Sequence, residues 1–204
     1  MLGAIAGDII GSPYEFKRNN IKTTNFPLFS ERSRFTDYTV MTFAIASALM
    51  ESIPVRRGVP EMSAFADCVI DSMHKFGHAY PYAGYGSKFV IWLSNRERQP
   101  YGSFGNGSAM RVSPVAWAFD ATCQGSVPEA ITAFLEGESY EDTVRKAVSL
   151  GGDSDTIACI AGEIAESFYN GVPEEIMRGT FERLDENLRD VFSQWCNWMT
   201  GGSD

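Results

Sequence analysis

Apolar residues recur every three or four positions along much of this chain. From Ile157 onward, Ile160, Ala161, Ile164, Ala165 and Phe168 fall on one face of a helix, and Asn170-Gly171 supplies its stop. Leu184, Leu188, Val191, Phe192, Trp195 and Met199 repeat the spacing, and Gly201-Gly202 follows as the stop signal. Residues 40–50, 62–76 and 87–93 also read as helices, as does the N-terminal stretch GAIAGDII. Convincing period-two alternation between hairpin turns is absent, so the pattern predicts an all-α fold. Gly- and Pro-rich segments mark the connections: GSPYEF, SIPVRRGVP, YPYAGYG, RQPYGSFGNGS, GSVP and SLGGDSD. Several hold more Gly, Asp, Asn, Ser and Thr than a helix joint requires, and loops on a rigid scaffold are where function concentrates.

At 204 residues the chain is long enough for one sizeable core, and a single domain over 1–204 is the expectation. Hydrophobic content of 44%, four Trp and fourteen Phe describe a folded globular protein rather than a disordered one. A formal charge of −9 argues against binding nucleic acid through its phosphates, which takes clustered Lys and Arg. Arg56-Arg57 and the RER run at residues 96–98 are short, and read as solvated helix ends. The four cysteines, Cys68, Cys123, Cys159 and Cys196, are widely separated and form no C-x-x-C, which predicts buried thiols in a reducing cytoplasm. The apolar start MLGAIAGDII has no basic flank and is interrupted by Asp8, so neither a signal peptide nor a membrane span is expected, and the protein is expected in the cytoplasm.

Four segments carry candidate chemistry. In GAIAGDIIGSPYEF, Gly3, Gly7 and Gly11 recur every four residues and leave one helix face bare for close packing. Asp8 on such a helix does not read as a solvated charge, and Glu15 follows a Ser-Pro turn that can aim it into a cavity. In FTDYT, Thr36, Asp37 and Thr39 place a carboxylate and two hydroxyls at a helix start, which serves either as an N-cap or as a set of hard oxygen ligands for Mg²⁺. In SLGGDSDT, Asp153, Asp155 and Thr156 cluster after a double glycine; a cap uses one acid and leaves the second unexplained, so a shared ion fits better. In GNGSAMRVSP, Gly105, Asn106, Gly107 and Ser108 form either a simple turn or a nest of backbone N–H groups for an anion.

Taken together and in this order, the blocks GAIAGDIIGSPYEF, FTDYTVMT, YPYAGYGSKFVIWL, GNGSAMRVSPVAW, LGGDSDTIACIAGEIAESFY and GVPEEI resemble the ADP-ribosylglycohydrolase family over most of the chain. The resemblance implies a compact single-domain orthogonal helical bundle with two Mg²⁺ ions at the base of a cleft. It implies an enzyme that removes ADP-ribose from a modified side chain, nucleic acid or small molecule by cleaving the glycosidic bond at the ribose anomeric carbon. Matched by motif, Thr36 and Asp37 would be ligands of the first metal cluster, and Asp153, Asp155 and Thr156 of the second. Glu15 matches an acidic residue on a loop over the cleft, and Gly105, Asn106, Gly107 and Ser108 match the loop that cradles pyrophosphate and ribose. Asp37 is the candidate catalytic carboxylate and Glu15 the second, acting on water or on the departing group. The expected partner is the ADP-ribosylated substrate alone, with no membrane, no direct sign of nucleic acid and a monomeric chain.

Two features depart from the family pattern. Tyr38 stands where the family's Thr-Asp-Asp-Thr cluster has a second acid, and a neutral phenol is a poor Mg²⁺ ligand. Its ring is expected to fill part of the substrate space or to stack on substrate. The stretch 113–150 is shorter than the helical insertion typical of members, which includes a His motif; His74 and His78 lie elsewhere and read as surface or packing residues. These departures keep open a degenerate member that binds ADP-ribose or a related nucleotide without hydrolysing it. A purely structural helical interaction protein would leave the polar Gly-Asp loops unexplained.

Overall fold

The computed structural model describes residues 1–15, 21–53, 62–99, 107, 111, 113–115, 128–151 and 154–201. Among these residues no strand occurs, and the expected all-α fold is what is found. The principal elements are α1 (Leu2–Gly11), a 3₁₀ turn (Ser12–Tyr14), α2 (Asp37–Ser52), α3 (Met62–Ala79) and α4 (Ser87–Ser94). They continue as α5 (Pro128–Leu135), α6 (Tyr140–Leu150), α7 (Ser154–Phe168), α8 (Glu174–Phe181) and α9 (Glu186–Thr200). The hydrophobic pattern anticipated α1, α2, α3, α4, α7 and α9, and missed α5, α6 and α8, each of eleven residues or fewer. Helix α6 had a legible start: the Ser139 hydroxyl accepts from Asp142 N at 3.2 Å while the Asp142 carboxylate accepts from Glu138 N at 3.0 Å, a reciprocal cap.

The contacts divide the chain into two compact units, Met1–Thr39 with Cys123–Asp185, and Val40–Thr122 with Glu186–Asp204. In the first, all ten residues of α1 are buried, Asp8 included. Ile5, Ile9, Ile10, Tyr140, Val144, Val148 and Ile157 supply core side chains, and the Tyr140 hydroxyl donates to Gly3 O at 3.1 Å. The glycine stripe sets how near α1 lies to α7. A Cβ on Gly3 would meet the Gly162 carbonyl, one on Gly7 the Ala158 carbonyl, and one on Gly11 the Asp155 Cα at 2.5 Å. Two helices whose facing positions lack side chains bring their backbones together, and here the register puts Asp155 directly against the end of α1.

The segment leading to α2 is pinned on the same unit. Arg145 donates to Phe26 O at 2.5 Å and to Thr24 O at 3.1 Å, its guanidinium lying over the Phe26 ring. Gly179 leaves room for the Phe29 ring, which the Arg183 guanidinium covers at 4.4 Å.

In the second unit, Phe43, Leu49, Phe76, Phe89, Trp92, Leu93, Leu188 and Trp195 are buried. Trp198 Nε1 donates to Ile53 O at 2.9 Å. Leu188, Val191 and Trp195 are the buried residues of α9, on the face its apolar spacing marks. The cysteine expectation needs correction: Cys159 is buried, but Cys68 is half-buried and Cys196 exposed, because they sit on the polar sides of their helices; Cys123 lies outside the described residues. No described helix is long and apolar enough to cross a membrane.

Gly7→Ala tests the close approach. In an exposed helix this change stabilises by about 1 kcal/mol. Here the new methyl collides with backbone that cannot rotate away, so a loss of about 1–3 kcal/mol is expected from the urea unfolding midpoint.

Candidate active site

In the first unit a buried polar cluster is centred on Asp8. Its carboxylate is fully buried and accepts four hydrogen bonds. Oδ1 takes the Thr36 hydroxyl at 2.5 Å, and Oδ2 takes Thr36 N at 2.9 Å, Thr39 N at 3.2 Å and the Thr39 hydroxyl at 2.5 Å. Burial pushes the Asp8 carboxyl above the ordinary value, while these bonds from Thr36 and Thr39 pull it down. The bonds have a structural consequence: Asp8, from α1, satisfies the free N–H of Thr39 in the first turn of α2. Thr36 adds a long local cap, its hydroxyl accepting from Tyr38 N at 3.4 Å. The capping and ligand readings of this segment therefore divide by residue, with Thr39 and Thr36 engaged by Asp8 and Asp37 half-buried at the first helical position.

The second cluster lies at the start of α7. Gly151 ends α6 at φ 73°, a left-handed conformation that favours glycine. Ser154, Asp155 and Thr156 are all buried. Asp155 Oδ1 accepts from Thr156 N at 2.8 Å, and the Ser154 hydroxyl donates to Tyr14 O at 3.3 Å, tying this turn to the 3₁₀ segment that ends next to Glu15. Glu15 itself is half-buried.

Tyr38 joins the two clusters. Its side chain is buried, and its hydroxyl pairs with the Thr156 hydroxyl across 118 residues of chain. The ring is thus only 8% exposed, packed in the site wall rather than laid open for stacking. Where the family resemblance implies a second acid, the structure has a phenol bonded directly to an expected metal ligand.

The structure brings together Thr36, Asp37, Tyr38, Thr39, Asp155 and Thr156 in one unit, with Glu15 on the neighbouring turn. Asp153, Gly105, Asn106 and Ser108 lie outside the described residues; Gly107 is described as half-buried helical backbone of the second unit. Asp8 is the organising residue that pattern reading left without a role, although a charged residue in a ten-residue apolar stripe was its signal. Cys159 also sits nearby. Burial, reinforced by the carboxylates of Asp8, Glu163 and Asp155, pushes its thiol well above the ordinary value.

As a donor set for Mg²⁺, these side chains are right in kind, since Asp and Thr oxygens are the hard ligands that ion takes. In number they fall short among the described residues, which hold no group of three or more His, Cys, Asp or Glu placed to share a metal.

The chain matches the ADP-ribosylglycohydrolase family model over residues 1–129 and 121–200. Similar curated proteins include ADP-ribosylhydrolase ARH3 from Mus musculus, 30% identical over 145 residues, covering 66% of this chain and 38% of that protein. ARH3 from Homo sapiens is 36% identical over 98 residues, 44% of this chain and 26% of that protein. An uncharacterized protein from Archaeoglobus fulgidus is 37% identical over 57 residues, 28% of this chain and 19% of that protein. In each case the match spans under two fifths of the relative's length, 38% at most.

Asp8→Asn tests the organising role. An amide offers one acceptor oxygen and turns an NH₂ toward donors, so at least one N–H or O–H of Thr36 or Thr39 loses its acceptor. A loss of about 1–3 kcal/mol for each orphaned donor is expected in chemical denaturation, with faster amide exchange at Thr36 and Thr39. Unchanged exchange there would overturn the role.

Proposed function

The chain belongs to the ADP-ribosylglycohydrolase family, and on that premise we propose that it hydrolyses the N- or O-glycosidic bond at the anomeric carbon of an ADP-ribosyl group. One observation carries the reading: two polar clusters 118 residues apart meet at the Tyr38–Thr156 hydrogen bond, bringing a half-buried Asp37 and a buried Asp155 onto one scaffold. The hydrolase names printed for the mouse and human relatives support the reaction class.

In this reading Asp37, at the first turn of α2, takes a proton from water as the water adds to the anomeric carbon. The bond to the departing nitrogen or oxygen breaks, and a proton goes to the departing group. Glu15 is the second carboxyl group, and in this reading it gives that proton. Asp8 holds Thr36 and Thr39, and through them the start of α2 that presents Asp37. Asp37, Asp155 and the Thr36 and Thr156 hydroxyls, with Asp153, would hold Mg²⁺; the ion supplies the positive charge with which a protein of formal charge −9 can meet a pyrophosphate. Gly105, Asn106, Gly107 and Ser108 are the proposed cradle for pyrophosphate and ribose. The substrate is ADP-ribosylated, and the molecule that carries the ADP-ribose is set by the rim of the cleft.

The Tyr38 phenol favours a second reading, a member that binds ADP-ribose without hydrolysing it, because it brings no charge and engages Thr156.

Release of ADP-ribose from ADP-ribosyl-serine and ADP-ribosyl-arginine, with Mg²⁺ and with a chelator, separates the two. Mg²⁺-dependent release by the native protein is expected. Tyr38→Asp should tighten Mg²⁺ by roughly tenfold, about 1.4 kcal/mol, in calorimetric titration, and raise the rate. Asp155→Ala should abolish release, and an active Asp155→Ala variant sinks the metal-site assignment. Binding of ADP-ribose without release from either substrate, in both native and Tyr38→Asp proteins, would select the second reading.

A further inference from the structure

The second unit contains a cavity of about 320 Å³ lined by Asp71, His74, Lys75, His78, Arg96 and Arg98. That volume lies at the small end of the range that small-molecule sites occupy, about 300–1,000 Å³. By sequence alone the RER run is a solvated helix end and the two histidines are surface or packing residues. The fold gathers all of them around one space, five basic side chains and one acid, in a chain whose formal charge is −9.

The walls are fixed by bonds that leave two of the cations uncommitted. Arg98 is paired with Asp71 through Nη1 and with Asp67 through Nη2 at 2.7 Å. Glu97 Oε1 accepts from Asn95. Among the described residues, neither Lys75 nor Arg96 has a carboxylate within ion-pair distance. The turn that carries Arg96 is anchored at three points: Trp92 Nε1 donates to Gln99 O at 3.0 Å, His74 Nε2 lies 2.8 Å from Glu97 O, and Arg98 reaches α3. The His74 ring stacks on Trp92 at 4.1 Å and on His78 at 5.8 Å, so the histidines form a flat, supported wall. His74 Nδ1 is buried and has no hydrogen-bond partner among the described residues.

Arg96 occupies the position that ends α4 in a left-handed conformation, φ 53°. Its N–H bonds Leu93 O and the next N–H bonds Trp92 O, both at 3.1 Å. Glycine is the residue of least cost at such a helix end, and Gly201 takes it after α9 at φ 69°. An arginine at that position, with its side chain lining a cavity and no carboxylate within ion-pair distance among the described residues, points to a role for the guanidinium itself.

We propose that this cavity binds a phosphoryl oxyanion, held by Arg96 and Lys75, with Arg98 fixed at its edge and the His74–His78 stack as its flat wall. A guanidinium fork and an ammonium together match the oxygens of a phosphoryl group, and Asp67 and Asp71 are already engaged by Arg98. The phosphoryl group can be inorganic phosphate or the phosphate of an ester.

Calorimetric titration of the full chain with inorganic phosphate at constant ionic strength, against a chloride blank, tests this in the native protein, Arg96→Gly and Lys75→Gln. Saturable phosphate binding is expected, weakened by roughly tenfold or more in each variant. Arg96→Gly should unfold at the same or a higher temperature than the native protein, since glycine relieves the left-handed backbone. Lost binding in a variant at least as stable as the parent cannot come from misfolding. Absence of phosphate binding in the native protein overturns the proposal, as does native-strength binding in Arg96→Gly, which would place the anion at another site such as the proposed catalytic cleft. Titration with a nucleoside monophosphate separates the sources: tighter binding than phosphate assigns an ester whose base meets the His78 ring, and equal binding assigns the phosphoryl group alone.

Discussion

A carboxylate buried with no solvent contact must find its hydrogen bonds inside the protein, and the cost of leaving it unsolvated is several kcal/mol. Asp8 meets that demand with four donors, all from Thr36 and Thr39. The arrangement holds the start of α2 in one orientation, because both backbone and hydroxyl groups of each threonine are used. Asp37 and Tyr38 lie between those two anchors. Their presentation thus depends on an acid from a different helix that is not itself assigned to the chemistry.

The same helix, α1, approaches α7 without side chains in the way. The carbonyls of Ala158 and Gly162 occupy the space where Gly7 and Gly3 would carry a methyl, and Asp155 backs onto Gly11. Packing at this distance places the first turn of α7 beside the end of α1, where Ser154 bonds to Tyr14 and Thr156 to Tyr38. Geometry at the polar cluster is therefore inherited from an apolar interface, and a single added carbon on α1 would be felt at the carboxylates.

Tyr38 changes the character of this cluster. A carboxylate at its position would repel Asp155 and Asp37 unless a cation lay among them. The neutral phenol instead bonds to Thr156. One consequence is that the two segments are joined directly by the chain's own atoms.

Much of this was readable from residues alone. Period-3.6 patterning identified the longer helices because burial of one helix face imposes that spacing wherever a helix is long enough to show it, and it failed for the eight-residue α5 and α8. The Thr-Asp and Gly-Gly-Asp-Ser-Asp-Thr blocks were legible as candidate chemistry because helix starts and hard-oxygen sites both demand particular residue types in close succession. Contacts between distant segments were not readable. That Asp8 would serve Thr36 and Thr39, that Tyr38 would reach Thr156, and that His74, Lys75 and Arg96 would share one cavity depends on helix packing distances and register. Local sequence sets which groups a segment can offer; only the close approach of α1 to α7, and of α3 to the end of α4, decides which partner each group meets.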